Sequence, residues 1–212
     1  MPLFFGGVPE YTDKNYMAAK DIVHPLIDGC VDNSFEIARG MVITGSNASG
    51  KSTFLRTVLV NCLLSETIYT ATAKEFKLKP SYIFSSLSLK DSLAENESYY
   101  MAEINSIKRV MCARDEGKNI ICFLDEVLRG TNTIDRIAAA TEILNNLTGD
   151  TILTFAATHD IELTYLLEKL YDNYFFREEI LTANGKEDIY FSYKINVGRS
   201  DTRNALQLLR II

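Results

Sequence analysis

Tryptophan is absent from the 212 residues, histidine occurs twice and cysteine four times. Two histidines, His24 and His159, cannot supply a metal site built on several imidazoles. The cysteines, Cys30, Cys62, Cys112 and Cys122, include no C-x-x-C pair, which removes the usual zinc and thiol-redox spacing. Cys62 and Cys122 lie in apolar runs and read as small core residues. Reduced thiols of this kind fit a cytoplasmic location. The opening Met1-Pro2-Leu3-Phe4-Phe5-Gly6-Gly7 lacks the basic start and long apolar stretch of a secretory signal. No run approaches the roughly 18 apolar residues that span a bilayer, so no membrane contact is expected of this segment. Basic residues are also short: 22 Lys and Arg against 28 Asp and Glu leave a net charge of −6. A protein that binds nucleic acid over its whole surface carries the opposite excess.

What is present is ordinary globular material, 47% hydrophobic and 24% charged, with no internal repeat or low-complexity linker. Residues 1–33 read as an irregular lead-in and 34–212 as one domain, expected to be part of a longer protein. Apolar runs at Met41–Thr44, Asn119–Leu124 and Thr151–Ala157 read as buried strands, with further strands at Ser34–Ala38 and Ser81–Ser86. Helical spacing of apolar residues follows Lys51 and recurs over Glu97–Glu116, Ile134–Leu147, Ile161–Leu170 and Thr202–Leu209. Tyr174–Ile180 and Ile189–Ile195 read as a strand pair around Asn184-Gly185. Strands alternating with helices predict an α/β fold with a mostly parallel central sheet covered by helices on both faces.

Three strand ends carry the chemistry. Gly45-Ser46-Asn47-Ala48-Ser49-Gly50-Lys51-Ser52 fits G-x-x-x-x-G-K-[ST], and it has the required strand before it and helix after it. Glycines let the backbone wrap phosphates, and the helix N-terminus attracts their charge. Lys51 is expected on the β- and γ-phosphates of ATP and Ser52 on Mg²⁺, with Thr53 as a further nucleotide-binding residue. The run Ile120–Leu124 ends in Asp125 and Glu126. Asp125 is placed to hold Mg²⁺ through water, and Glu126 to orient or deprotonate an attacking water. Thr154–Thr158 delivers His159 to the same sheet edge, where an imidazole can sense the γ-phosphate. His24, next to Pro25, reads as a turn residue. A P-loop kinase would need an arginine-bearing lid, and no segment supplies one.

Together these stretches resemble the ATPase domain of the MutS family of mismatch-repair proteins, a branch of the ABC-type ATPases. The resemblance rests on Ile43–Thr53, on Glu97–Glu103, on Leu124-Asp125-Glu126-Val127-Leu128-Arg129-Gly130-Thr131-Asn132-Thr133 and on Ala157-Thr158-His159-Asp160-Ile161-Glu162-Leu163-Thr164. It implies that two ATPase domains face each other and share sites. Ser98 matches a serine donated across that interface, Thr131-Asn132-Thr133 a loop that communicates between sites, and Val31 an apolar residue packed on adenine. Ala48-Ser49, Leu128, Ile134 and Arg136 depart from the pattern of the mismatch-repair members. In this the chain is similar to a divergent bacterial MutS-like subfamily. The resemblance implies the ATP-driven part of a DNA-repair-like protein, with DNA held by domains outside this chain. The alternative is a nucleotide-gated dimerisation module of a membrane-tethered or regulatory protein.

Overall fold

The computed structural model describes residues 6–46, 48–87, 99–128, 132–183 and 186–200. Its elements in chain order are β1 (Glu10–Tyr11), β2 (Met17–Ile22), β3 (Asn33–Ile37), β4 (Gly40–Thr44), α1 (Lys51–Ile68), β5 (Glu75–Leu78), β6 (Tyr82–Ser86), α2 (Tyr99–Asp115), β7 (Ile120–Asp125), α3 (Thr133–Asn146), β8 (Ile152–Thr158), α4 (Glu162–Leu166), β9 (Tyr171–Ala183) and β10 (Lys186–Val197). The helix expected at Thr202–Leu209 lies outside the described residues.

Six strands form the central sheet in the order β10-β9-β4-β8-β7-β6. The three strands β4, β7 and β8 are buried at every residue, as continuous apolar runs in the middle of a sheet must be. The expectation of a mostly parallel central sheet holds only in part: β9, β4, β8, β7 and β6 run parallel to one another, but the sheet as a whole is mixed. β10 runs antiparallel to β9, since a two-residue connection can only reverse the chain. A second sheet, β1-β5-β2-β3, pairs β2 antiparallel to both of its neighbours. This sheet also corrects the reading of residues 1–33 as irregular. β2 inserts Met17, Ala19 and Ile22 into the core, with Lys20 exposed between them.

Side-chain alternation in the central strands divides the core into two layers. Met41 and Ile43 of β4, with Phe123 and Phe155, pack with Phe54, Leu55 and Val58 of α1 and with Phe35, Ile37, Phe76 and Leu78 of the second sheet. Val42, Cys122, Leu124 and Ala156 face the other way, toward Ile107 and Val110 of α2, Ala140 and Leu144 of α3, and Leu163 of α4. No helix among the described residues is long and apolar enough to cross a membrane.

Register brings the ends of three strands together. Thr44 lies opposite both Thr158 and Phe175, and Asp125 lies opposite Ala157. Gly45, Glu126 and His159, each one residue further on, therefore leave the sheet along one edge. In open α/β sheets this carboxyl edge is where ligands bind.

Candidate functional site

The loop after β4 is shaped by its backbone. Gly45 adopts φ +153°, and a Cβ there would meet Ser49 Oγ at 2.7 Å, so only glycine fits. Gly50 adopts φ +108° and caps α1, with its carbonyl accepting from Phe54 N–H at 2.8 Å. Ala48 takes a left-handed φ of +65°. Ser49 Oγ donates to Ser46 O at 2.9 Å, closing the loop on itself.

Lys51 opens α1 and is buried, with 5% of its surface exposed. Its Nζ donates to Gly45 O and Ser46 O, each at 2.8 Å. Burial holds its ammonium at a pKa down to about 8, and Glu126, Asp125 and Glu178 pull in the opposite direction. His159 stands within reach, with both ring nitrogens 3.5 Å from Lys51 Nζ. His159 Nε2 also lies 2.5 Å from Glu126 Oε1. Glu126 itself is held at φ +56°, and its N–H donates to Ala157 O at 2.9 Å. A glutamate in the left-handed region is strained, and such outliers gather at functional sites.

Asp125 closes β7 and is 5% exposed, and its Oδ1 is buried with no hydrogen-bond partner. Among the described residues no three His, Cys, Asp or Glu side chains converge as a metal cluster. One orphaned carboxylate oxygen and the Ser52 hydroxyl suit a hard cation that keeps most of its water, as Mg²⁺ does.

Beside the loop lies a cavity of about 270 Å³. Val31, Gly50 and Thr53 line it with Ile22, Phe54 and Tyr193. Tyr193 was not singled out in the sequence. It takes φ +53° at an irregularity where the β9–β10 register shifts between Phe191 and Ile195. Strand alternation carries no signal of such a bulge. Asn33 fixes this wall, donating to Tyr193 O at 3.1 Å and accepting from Ile195 N–H at 2.8 Å.

Asn132 caps α3, its side chain accepting from Asp135 N–H at 3.0 Å, and Thr133 begins the helix. Asn47, Ser98 and Thr131 lie outside the described residues. His24 sits at a turn, its Nδ1 accepting from Leu26 N–H at 3.2 Å. Glu103 of α2, which closes the Glu97–Glu103 run but has no role assigned to it in the sequence, has one in the structure. Its buried carboxylate accepts from Leu128 N–H at 2.8 Å, holding the turn that follows Glu126.

Fold and site thus define an α/β domain whose candidate site sits at the carboxyl ends of adjacent parallel strands. The family described as MutS domain V matches residues 41–212, and the chain belongs to the MutS family. It is 29% identical over 216 residues to the DNA mismatch repair protein MutS of Lawsonia intracellularis, covering 96% of this chain and 24% of that protein. Identity to the DNA mismatch repair protein MutS of Nitratidesulfovibrio vulgaris is 33% over 180 residues, 83% of this chain and 19% of the relative. Human MutS protein homolog 4 is 28% identical over 211 residues, covering 92% and 22%. The chain therefore spans a quarter or less of the length of these curated relatives.

Proposed function

We propose that this chain binds ATP with Mg²⁺ and hydrolyses it to ADP and phosphate, as the ABC-type ATPase domain of a divergent MutS-like protein related to DNA mismatch repair. The observation that carries the reading is the convergence of Lys51, Glu126 and His159, beside the unpartnered Asp125 oxygen, on one sheet edge. Loop amides and Lys51 bind the phosphates, for which Lys51 must leave its bonds to Gly45 O and Ser46 O. Glu126 takes or orients the proton of the attacking water, and His159 holds Glu126 and senses the γ-phosphate. Ser52 and Asp125 hold Mg²⁺, which neutralises charge on the phosphates. The cavity beside Gly50 receives the base, with Val31 and Tyr193 as walls.

Two such domains acting as a dimer would bring Ser98, Thr131, Asn132 and Thr133 to the shared sites. DNA contact then falls to other segments of a longer protein, in keeping with the net charge of −6. The test is phosphate release and fluorescent-ATP binding by the protein and by Lys51→Ala. Mg²⁺-dependent turnover that Lys51→Ala loses together with binding is the expected result. Unchanged ATP affinity in folded Lys51→Ala overturns the reading.

A further inference from the structure

Arg136 is the fourth residue of α3 and completes its first turn, and Asp160 follows His159. Arg136 Nε donates to Asp160 Oδ2 at 2.7 Å, and Nη2 donates to Oδ1 at 2.6 Å. This is a two-pronged guanidinium–carboxylate fork, the strongest and most directional ion pair that side chains make. The two side chains are only 22% and 11% exposed, against 47% and 31% in the surface pair Arg39–Asp172. The loop around Asp160 is itself tied, with Asp160 N–H donating to Thr158 Oγ1 at 3.0 Å.

The fork closes a ring through the site. From Glu126 the chain runs through the turn at Leu128 into α3 and Arg136. From there the fork crosses to Asp160, whose neighbour His159 returns to Glu126 at 2.5 Å. We infer that the Arg136–Asp160 pair is an internal latch that positions His159 against Glu126 and carries displacements of α3 to it. Arg136 is then a positioning residue for the hydrolysis proposed above, on which its kinetic consequence rests. An arginine serving only to anchor α3 would alter stability and leave His159 and the chemical step untouched.

With two histidines in the chain, the His159 ring can be observed by NMR with His24 as internal control. In Arg136→Ala the His159 Cε1–H resonance is expected to move while that of His24 stays. The turnover number should fall about tenfold with KM for ATP changed less than about twofold, since the loss is of alignment rather than binding. Arg136→Lys keeps the charge without the fork and should lie between. The exchange Arg136→Asp with Asp160→Arg should recover part of both readouts. Should Arg136→Ala fail to fold, Arg136→Lys carries the test. An unmoved His159 resonance in a folded variant overturns the latch, as does a shift of His24 and His159 alike. If the parent protein turns over no ATP, the proposed function fails, and the His159 resonance alone decides the latch.

Discussion

The imidazole Nε2 of His159 stands 2.5 Å from the Glu126 carboxylate, across the ends of two adjacent parallel strands. The pair gives Glu126 a fixed partner on one side. Glu126→Gln keeps the shape and the φ +56° backbone problem but removes the proton acceptor. Nucleotide affinity is expected to stay within a few-fold. Turnover should drop about 100-fold or more, the scale of a lost general base. Phosphate release against fluorescent-nucleotide titration separates the two, and parent-like turnover removes Glu126 from the mechanism.

Lys51 costs the folded protein stability. Burial lowers its pKa to about 8 in the folded chain, while in the unfolded chain it keeps its proton to the ordinary lysine range. Between those values the unfolded chain binds more protons, so folding stability rises with pH across that window. Below about pH 8 the full burial penalty is present. Lys51→Met removes it, and the loss of bonds to Gly45 O and Ser46 O offsets part of the gain. A net stabilisation of about 1–2 kcal/mol is expected at pH 7, shrinking as pH rises above 8. Urea unfolding at pH 7 and pH 9.5 checks it. A variant less stable than the parent at pH 7 contradicts the argument.

Glu103 makes a second case with the opposite sign. Burial raises its carboxyl pKa, and the bond from Leu128 N–H pulls it back down in part. A raised acid gains protons on folding, so its contribution is fully present at low pH and is lost as pH rises through the folded pKa. Glu103→Gln keeps an acceptor for Leu128 N–H without the buried charge. It should be more stable than the parent at pH 7, and that advantage should shrink as the solution is acidified. Glu103→Leu leaves the Leu128 N–H unsatisfied at a turn where Leu128 sits at φ +56°, at a cost of about 1–3 kcal/mol. Thermal unfolding of both variants at pH 7 and pH 4.5 decides it.

The parts of this structure that were legible in the sequence are those that local pattern dictates. β4, β7 and β8 are unbroken apolar runs, and the polar residues that end them are the ones that meet at the site. β2 was not legible. Its alternation is interrupted by Lys20 and Asp21, and its partner β5 is a four-residue strand more than fifty positions away. α4 stops at Leu166, short of the expected Leu170, because the chain must turn to enter β9 at Tyr171. The Arg136–Asp160 fork joins two elements 24 residues apart, and nothing local in either segment announces it.

Tyr193 shows what a positive φ in a strand can do. The irregularity in β10 sets its ring over the start of α1, where a Cβ on Gly50 would come within 3.2 Å of Tyr193 Cδ1. It shares the cavity with Val31, and an aromatic face beside an apolar side chain suits a planar base. Base–aromatic stacking contributes about 1–3 kcal/mol. Tyr193→Ala is therefore expected to weaken ATP binding about tenfold, with a smaller loss for Val31→Ala. Inorganic triphosphate, which has no base to stack, should bind both variants as it binds the parent. Competition titrations with ATP and with triphosphate make the comparison. An equal loss for both ligands would mean that Tyr193 acts by supporting Gly50 and the phosphate-facing loop rather than by holding the base.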